Sequence, residues 1–439
     1  MPKKRMGGLN MDNLTIVLLI FAFTIISYLL QKITLATTAL ISVILLVGFK
    51  AIDNQAVVSS FGNTTGILMV AMFVIAAGFN KTQLVKKMAA NVSRIAKGSI
   101  TKVMAGYVFL AVLLTQLIPS NLVPFCILYP LLGATLDEMK ISRSKGMFGL
   151  GLIDIIAVGT LPIGGGATIF AELNGYLVAS GSSYQMLITD PMKLRLPLLI
   201  IIALYCIFFA IKVSPDKPLT DIEEFELQNA CVAAKPLKPF QEKAGYLIFI
   251  FVSVALLFST QIGMQAWLIV LIGAILMVVT GVLDEKEAIK SMPIWVYFVF
   301  VGGLIMAGAL STSGAGKLVG DFIASIALQS RSTILLYTIF FMGPFILTQF
   351  ILNRSAMMIF IPIVIQTCLS LGINPIGPII CVQAATLSAF MTPMATGTVP
   401  YLMGVGGYNQ KSIIKQAIIP TIICIVVTIG WSSIAFPLF

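Results

Sequence analysis

The sequence predicts an all-α membrane protein made of two related halves of opposite orientation, with about ten spans. Three observations predict it. Hydrophobic residues make up 58% of the chain and charged residues 10%, against about 25% charged in soluble proteins. Apolar runs long enough to enter a bilayer lie at residues 14–30, 33–49, 67–79, 196–211, 246–259, 266–282, 295–310 and 413–436. Finally, two stretches 233 positions apart share one plan: Thr115-Gln116-Leu117-Ile118-Pro119-Ser120-Asn121 and Thr348-Gln349-Phe350-Ile351-Leu352-Asn353-Arg354-Ser355. Each sets amide and hydroxyl groups, and the second a guanidinium, inside long apolar surroundings.

A charged stretch divides the chain: residues 212–243 carry Lys212, Asp216, Lys217, Asp221, Glu223, Glu224, Glu226, Lys235, Lys238 and Lys243 between residues 1–211 and 244–439. Each half then predicts the same order. Two spans come first (residues 12–30 and 34–49; 245–260 and 265–282), then a third (60–80; 292–312) and an amphipathic stretch (81–97; 313–329). A polar hairpin follows (101–136; 332–366), then a Gly- and Pro-broken span (146–180; 375–408) and a final helix. Several apolar runs are shorter than the roughly 20 residues a straight span needs, so flanking residues complete them. With the hairpins re-entrant, each half crosses the membrane an odd number of times, and the second half enters inverted. The first apolar run reads as a span, because it lacks a small-residue cleavage site and has a counterpart in the second half.

Basic residues set the orientation. The net charge of +11 reports topology in such a protein rather than an acidic partner. Lys81, Lys86, Lys87, Arg94, Lys97, Lys102, Lys140, Arg143, Lys145 and the connector lysines fall on one face. That face is cytoplasmic by the positive-inside rule, which makes the connector cytoplasmic and both termini external. Lys50, Lys193, Arg195, Lys317 and Arg331 fall on the opposite face.

Polar backbone at membrane depth is tolerated only inside protein or against a water-filled cavity. The tips Ser120-Asn121 and Asn353-Arg354-Ser355 are therefore expected to face each other where the halves meet. The broken spans add Gly159-Thr160-Leu161-Pro162-Ile163-Gly164-Gly165-Gly166-Ala167-Thr168 and Thr392-Pro393-Met394-Ala395-Thr396-Gly397-Thr398-Val399-Pro400. The common offset aligns Gly164 with Gly397. One kink of this kind is ordinary in a membrane helix. Four breaks at paired positions describe an inverted-repeat transporter with two re-entrant hairpins and two broken helices, whose helix ends offer N–H groups to an anion or carbonyls to a cation.

The run Phe390-Met391-Thr392-Pro393-Met394-Ala395-Thr396, followed by Gly404-Val405-Gly406-Gly407-Tyr408, resembles the second broken helix of the divalent anion/sodium symporters. This is the dicarboxylate, citrate and sulfate transporter family of the ion transporter superfamily. The resemblance covers essentially the whole chain in architecture, with degenerate motifs. That family carries Ser-Asn-Thr at each hairpin tip. Here the first tip reads Ser120-Asn121-Leu122, so Leu122 replaces the threonine. In the second, Thr348 and Asn353 keep the family spacing, while Leu352 and Arg354 replace the serine and the substrate-contacting threonine. The resemblance implies sodium ligands from Gln116, Ser120, Asn121 and Gly164 in one site and Thr348, Asn353 and Ala395 in the other. It implies substrate contacts from Ser120, Asn121, Gly165, Asn353, Arg354, Ser355, Thr396, Gly397 and Thr398. It also implies a homodimer. No cofactor is expected beyond a coupling sodium ion. The expected partners are a small anion and the lipid bilayer, with no nucleic acid.

A guanidinium matches the oxygens of carboxylate, sulfate or phosphate. Arg354 is thus expected to contact the substrate directly, or to pair with Asp154 or Glu172, the two acids well inside apolar spans. Either acid could carry a proton. A cation/proton antiporter or arsenite-type exporter on the same scaffold would want an acid at the centre, and a sodium-independent anion exchanger stays open. The chain holds no histidine, which excludes or disfavours zinc chemistry, a histidine proton relay and a Ser-His triad. No Walker sequence or nucleophile–base pairing is visible, so an enzyme is not expected. Five of the six cysteines (Cys126, Cys206, Cys368, Cys381, Cys424) lie in apolar stretches and read as core residues.

Overall fold

The computed structural model describes residues 12–30, 32–83, 99–118, 120–222, 237–292, 294–315, 318, 332–393 and 396–439. Regular structure among the described residues is helical. The first half contains α1 (Asn13–Leu30), α2 (Leu35–Gly48), a short α3 (Asn54–Phe61), α4 (Thr64–Asn80), α5 (Ile100–Leu117), α6 (Leu122–Glu138), α7 (Met147–Ala157), α8 (Gly165–Ala179) and α9 (Asp190–Phe208). A single turn, α10 (Ala210–Val213), follows. The second half contains α11 (Pro239–Leu257), a single turn α12 (Ser259–Ile262), α13 (Ala266–Val279), a short α14 (Glu285–Ser291) and α15 (Ile294–Ser313). It continues with α16 (Thr333–Thr348), α17 (Asn353–Leu371), α18 (Ile376–Thr386), α19 (Thr398–Gly406) and α20 (Gln410–Ala435). Apart from α12, each helix of the second half has a counterpart in the first, in the same order.

The predicted hairpins are α5–α6 and α16–α17, and the predicted broken spans are α7–α8 and α18–α19. Among the described residues, seven helices, taking α3 and α4 together as one, are long and apolar enough to cross a membrane, and five shorter apolar helices accompany them. The chain is an integral, multi-pass membrane protein. Two details differ from expectation. Each third span is preceded by a short helix, α3 or α14, and α11 begins at Pro239, inside the stretch read as connector. Proline at the first helical turn loses no hydrogen bond there, so it starts the helix early. The amphipathic stretches at 81–97 and 313–329 lie almost wholly outside the described residues.

Local chemistry sets the helix ends. Asn63 accepts from Thr65 N at 2.8 Å to start α4, and Asn409 accepts from Ser412 N at 2.9 Å to start α20. Asp284 and Glu287 form a reciprocal box at α14. Lys81 from the end of α4 pairs with Glu287 at 2.7 Å, holding Glu287 below the usual carboxylate range through that hydrogen bond.

The helices sort into two groups. In the first, α4 packs on α13 and α2 on α15. Exchange of the halves turns one of these contacts into the other, so the group carries an internal two-fold relation. Its α1 and α2 are joined by the buried hydroxyl pairs Thr24–Ser42 and Ser27–Thr38, both 2.7 Å. Such pairs take the place of hydrophobic driving force between helices in lipid. In the second group each hairpin packs on the broken helix of its own half, and α9 meets α20 across the junction. The five cysteines Cys126, Cys206, Cys368, Cys381 and Cys424 are buried, and none forms a disulfide among the described residues.

Candidate functional site

A glutamine bridges each broken helix. Gln116, at the end of α5, donates from Nε2 to Ala157 O at 2.6 Å and accepts from Leu161 N at 2.9 Å. Gln349, just past α16, donates to Ser388 O at 3.1 Å and accepts from Met391 N at 3.1 Å. One carboxamide thus satisfies a carbonyl and an N–H that the interruption leaves without helical partners. Thr348 adds a bond to Thr386 O at 3.0 Å and one to Asn353 Oδ1 at 3.1 Å, tying the second hairpin tip to the end of α18. Gly164 has φ +51 and ψ −114, and an added Cβ would collide with Gln116 O. Only glycine permits that backbone approach.

Each tip meets the broken helix of the other half. Ser120, Asn121, Leu122, Asn353 and Arg354 are partly exposed there, while Gln116, Gly164, Gly165, Thr348, Ser355, Thr396 and Thr398 are buried. A Cβ on Gly397 would lie 3.4 Å from the Leu122 side chain, which places the second break against the first tip. Arg354 Nη1 donates to Glu172 Oε2 at 2.8 Å, joining the second tip to α8. The Arg354 side chain is 24% exposed and that of Glu172 only 3%. The N-terminal ends of α6, α17, α8 and α19 open on these tips and breaks, and their dipoles favour an anion.

The remaining expected site residues fall as follows. Ser120 Oγ accepts from Val123 N at 3.4 Å, a weak start to α6. Thr396 accepts from Thr398 N at 3.1 Å, while the hydroxyls of Ser355 and Thr398 are buried without a partner among the described residues. Gly165 opens α8. The expected ligand Ala395 lies outside the described residues. The Gln116 oxygen, read as a sodium ligand, is engaged by Leu161 N. Asp154 is fully buried on α7, and neither carboxyl oxygen has a partner among the described residues. Of the two acids considered for Arg354, the structure pairs it with Glu172.

The model of the family described as citrate transporter matches residues 16–342 and 267–439, which overlap and together span nearly the whole chain. This chain belongs to the citrate transporter family. A Haemophilus influenzae protein described as an uncharacterized transporter is 24% identical over 437 residues, covering 94% of this chain and 90% of its own length. The sodium-dependent dicarboxylate transporter SdcS of Staphylococcus aureus (strain USA300) is 21% identical over 417 residues, covering 87% of this chain and 78% of its own length. The crystal structure of the Alcanivorax borkumensis YdaH transporter matches with a TM-score of 0.60 at 13% identity, over 88% of this chain and 89% of that one. Neisseria gonorrhoeae MtrF matches with a TM-score of 0.57 at 13% identity, over 98% and 96%. These two likenesses are of fold.

Two features of this citrate transporter family member were not anticipated. Arg195, placed by its sequence at the external surface, is buried on α9. Its Nη1 donates to Val158 O at 2.7 Å and its Nη2 to Ile156 O at 2.8 Å. The cue was present: Leu194 precedes it and an apolar run follows. The second feature is a strap. Leu219 and Thr220 both donate to Gly407 O, at 2.7 and 3.2 Å. Ser144 donates to Pro215 O at 2.9 Å, and Lys145 pairs with Asp216. The first part of the connector is thereby pinned to the turn that leads into α7 and to the end of α19. The broken helices also differ. α8 packs closely on α4 and α15, with Gly175 against Phe300 and Tyr176 against Gly303. No comparable packing joins α19 to that helix group among the described residues.

Proposed function

We propose that this protein is a secondary active transporter that moves a small dicarboxylate-, citrate- or sulfate-like anion across the membrane, coupled to sodium. Transport is by alternating access, with the anion held between the hairpin tips. The observation that carries the reading is Arg354, a partly exposed guanidinium at a hairpin tip beside Asn353, at the N-terminal end of α17 and facing α8 through Glu172. Its charge favours an anion and opposes a cation as the central substrate, which speaks against antiport of cations. Sodium coupling is supported by the sodium-dependent relative SdcS and by Thr348 and Asn353, whose oxygens meet at the second tip. We assign the repeats to residues 1–211 and 244–439, with a cytoplasmic connector at 212–243 and a homodimeric assembly. The chain transports and does not catalyse.

Thermal unfolding of the purified protein across a panel of anions, with sodium or with choline, tests this directly. A dicarboxylate or sulfate should raise the midpoint only when sodium is present, following the linkage of binding to stability. Stabilisation by anions that is equal in choline would favour sodium-independent exchange. Stabilisation by neither class of anion would remove the reading.

Asp154 is expected to take no part in this coupling. A carboxylate with both oxygens buried and unpartnered would be an uncompensated charge. Asp154→Asn keeps the shape and removes the possibility of charge. Its unfolding midpoint should match or exceed that of wild type, with sodium-driven uptake unchanged. A loss of uptake at normal protein yield would instead make Asp154 a proton carrier.

A further inference from the structure

We propose that Arg195 is a built-in cation that permanently fills the cation position of the first repeat, so that one exchangeable cation, held in the second repeat, couples transport. The inference rests on the reading of the chain as a cation-coupled transporter. It starts from the two ends of the interrupted helices, where carbonyls without helical partners form the natural cradle for a cation.

In the first repeat that cradle is full. Ile156 O and Val158 O accept the two ends of the Arg195 guanidinium, at 2.8 and 2.7 Å, and Ala157 O between them accepts Gln116 Nε2 at 2.6 Å. Three consecutive carbonyls thus all receive side-chain N–H donors. Arg195 is only 2% exposed, and its charge sits at the negative end of the α7 dipole, where a mobile cation would otherwise be favoured. A sodium ion beside it would meet a like charge in a poorly solvated interior, where screening is weak.

The second repeat is built differently. Matched through the two glutamine bridges, two residues short of the common offset, Ala157 corresponds to Ser388, and Ile156 and Val158 correspond to Leu387 and Ala389. The common offset would instead pair Val158 with Met391, whose carbonyl accepts from Gln410 Nε2 at 2.7 Å. Among the described residues no side chain donates to the carbonyls of Leu387 or Ala389, whereas Thr386 O and Ser388 O are each bonded. The only cations of α20 are Lys411 and Lys415, both in its first turns. The position of Arg195, carried over by the common offset, is Thr428, whose buried hydroxyl has no partner among the described residues. Thr348 Oγ1 and Asn353 Oδ1 stand beside this end of α18 with uncharged oxygens. The pseudo-symmetric positions therefore carry a fixed charge on one side and a neutral oxygen cradle on the other.

The test is a sodium titration of thermal unfolding in the purified full-length protein, with choline chloride holding ionic strength constant. Wild type should respond as a single site, with a Hill coefficient of about 1. Arg195→Lys should keep that response. Arg195→Gln, which empties the cradle of charge, should acquire a second sodium response, with a coefficient rising toward about 2. A one-site wild-type response that Arg195→Gln leaves unchanged would overturn the fixed cation while keeping sodium coupling. No response in wild type, with one gained in Arg195→Gln, would overturn sodium coupling while keeping the fixed cation. No response in either would overturn both. Should Arg195→Gln fail to fold, Thr348→Val decides. It should reduce sodium affinity at least roughly tenfold and leave no second response. A remaining sodium response of wild-type affinity would reveal an ion in the first repeat and overturn the proposal.

Discussion

Replacing Arg354 with methionine should abolish anion uptake and also destabilise the protein. Glu172 is buried and Arg354 Nη1 is its charged partner at 2.8 Å, so the substitution leaves an unpaired carboxylate inside the protein. Losing one partner of a buried pair costs about 3–5 kcal/mol, and the exposed edge of Arg354 places this case near about 2–3 kcal/mol. The double variant Arg354→Met/Glu172→Leu removes both charges and should regain most of that stability, because a well-packed apolar pair can replace a buried ion pair. Uptake should stay absent in the double variant, since the anion has lost its guanidinium. Uptake at wild-type rate in the double variant would show that the pair is structural and that the anion binds elsewhere. Arg354→Lys separates charge from geometry. It keeps the charge but loses the planar fork, so it should weaken anion affinity about tenfold or more while holding stability near wild type.

Gly164→Ala should prevent folding, and Gly397→Ala should not. The two glycines are counterparts by sequence offset, yet they occupy different backbone regions. Gly164 has φ +51 with ψ −114 and lies against Gln116 O, whereas Gly397 has φ −61 and an open side facing Leu122. A side chain at Gly164 would need both a forbidden conformation and a separation of the first hairpin from its broken helix. That combination exceeds about 4 kcal/mol, beyond the range of ordinary substitutions. Membrane expression and gel-filtration profile are the measurements. A monodisperse Gly164→Ala protein would show that the first hairpin can move off the break.

Hairpins and breaks were legible in the sequence because lipid punishes polar backbone so severely that four interruptions in apolar spans have few explanations. The pairing by offset followed from the same feature. Side-chain roles were less legible. For Gln116 the family resemblance implies a sodium ligand, and only the approach of α5 to the break shows that its oxygen also accepts from Leu161 N. Arg195 was misplaced because a cation at the edge of an apolar run looks like an interfacial anchor. Its satisfaction by Ile156 and Val158 carbonyls depends on α9 packing against α7, which one-dimensional periodicity does not reveal. The partner of Arg354 was narrowed to two acids by their scarcity, and the fold chose between them.

α8 and α19 are seated unequally on the other helix group. α8 packs on α4 and α15, whereas no comparable packing holds α19 to those helices among the described residues, and the strap holds Gly407 at its free end. Under the alternating-access transport proposed above, the repeat relation of the halves supplies the second conformation. It is obtained by letting α19 take the seat on α15 and α4 that α8 now holds, and letting α8 go. Two conformers so related would share their bridging glutamines and hairpins unchanged, and would differ in which end of the molecule is closed. The strap would travel with α19 in that exchange, making residues 215–220 passengers of the moving body, and a distance label on Asp216 would report the stroke.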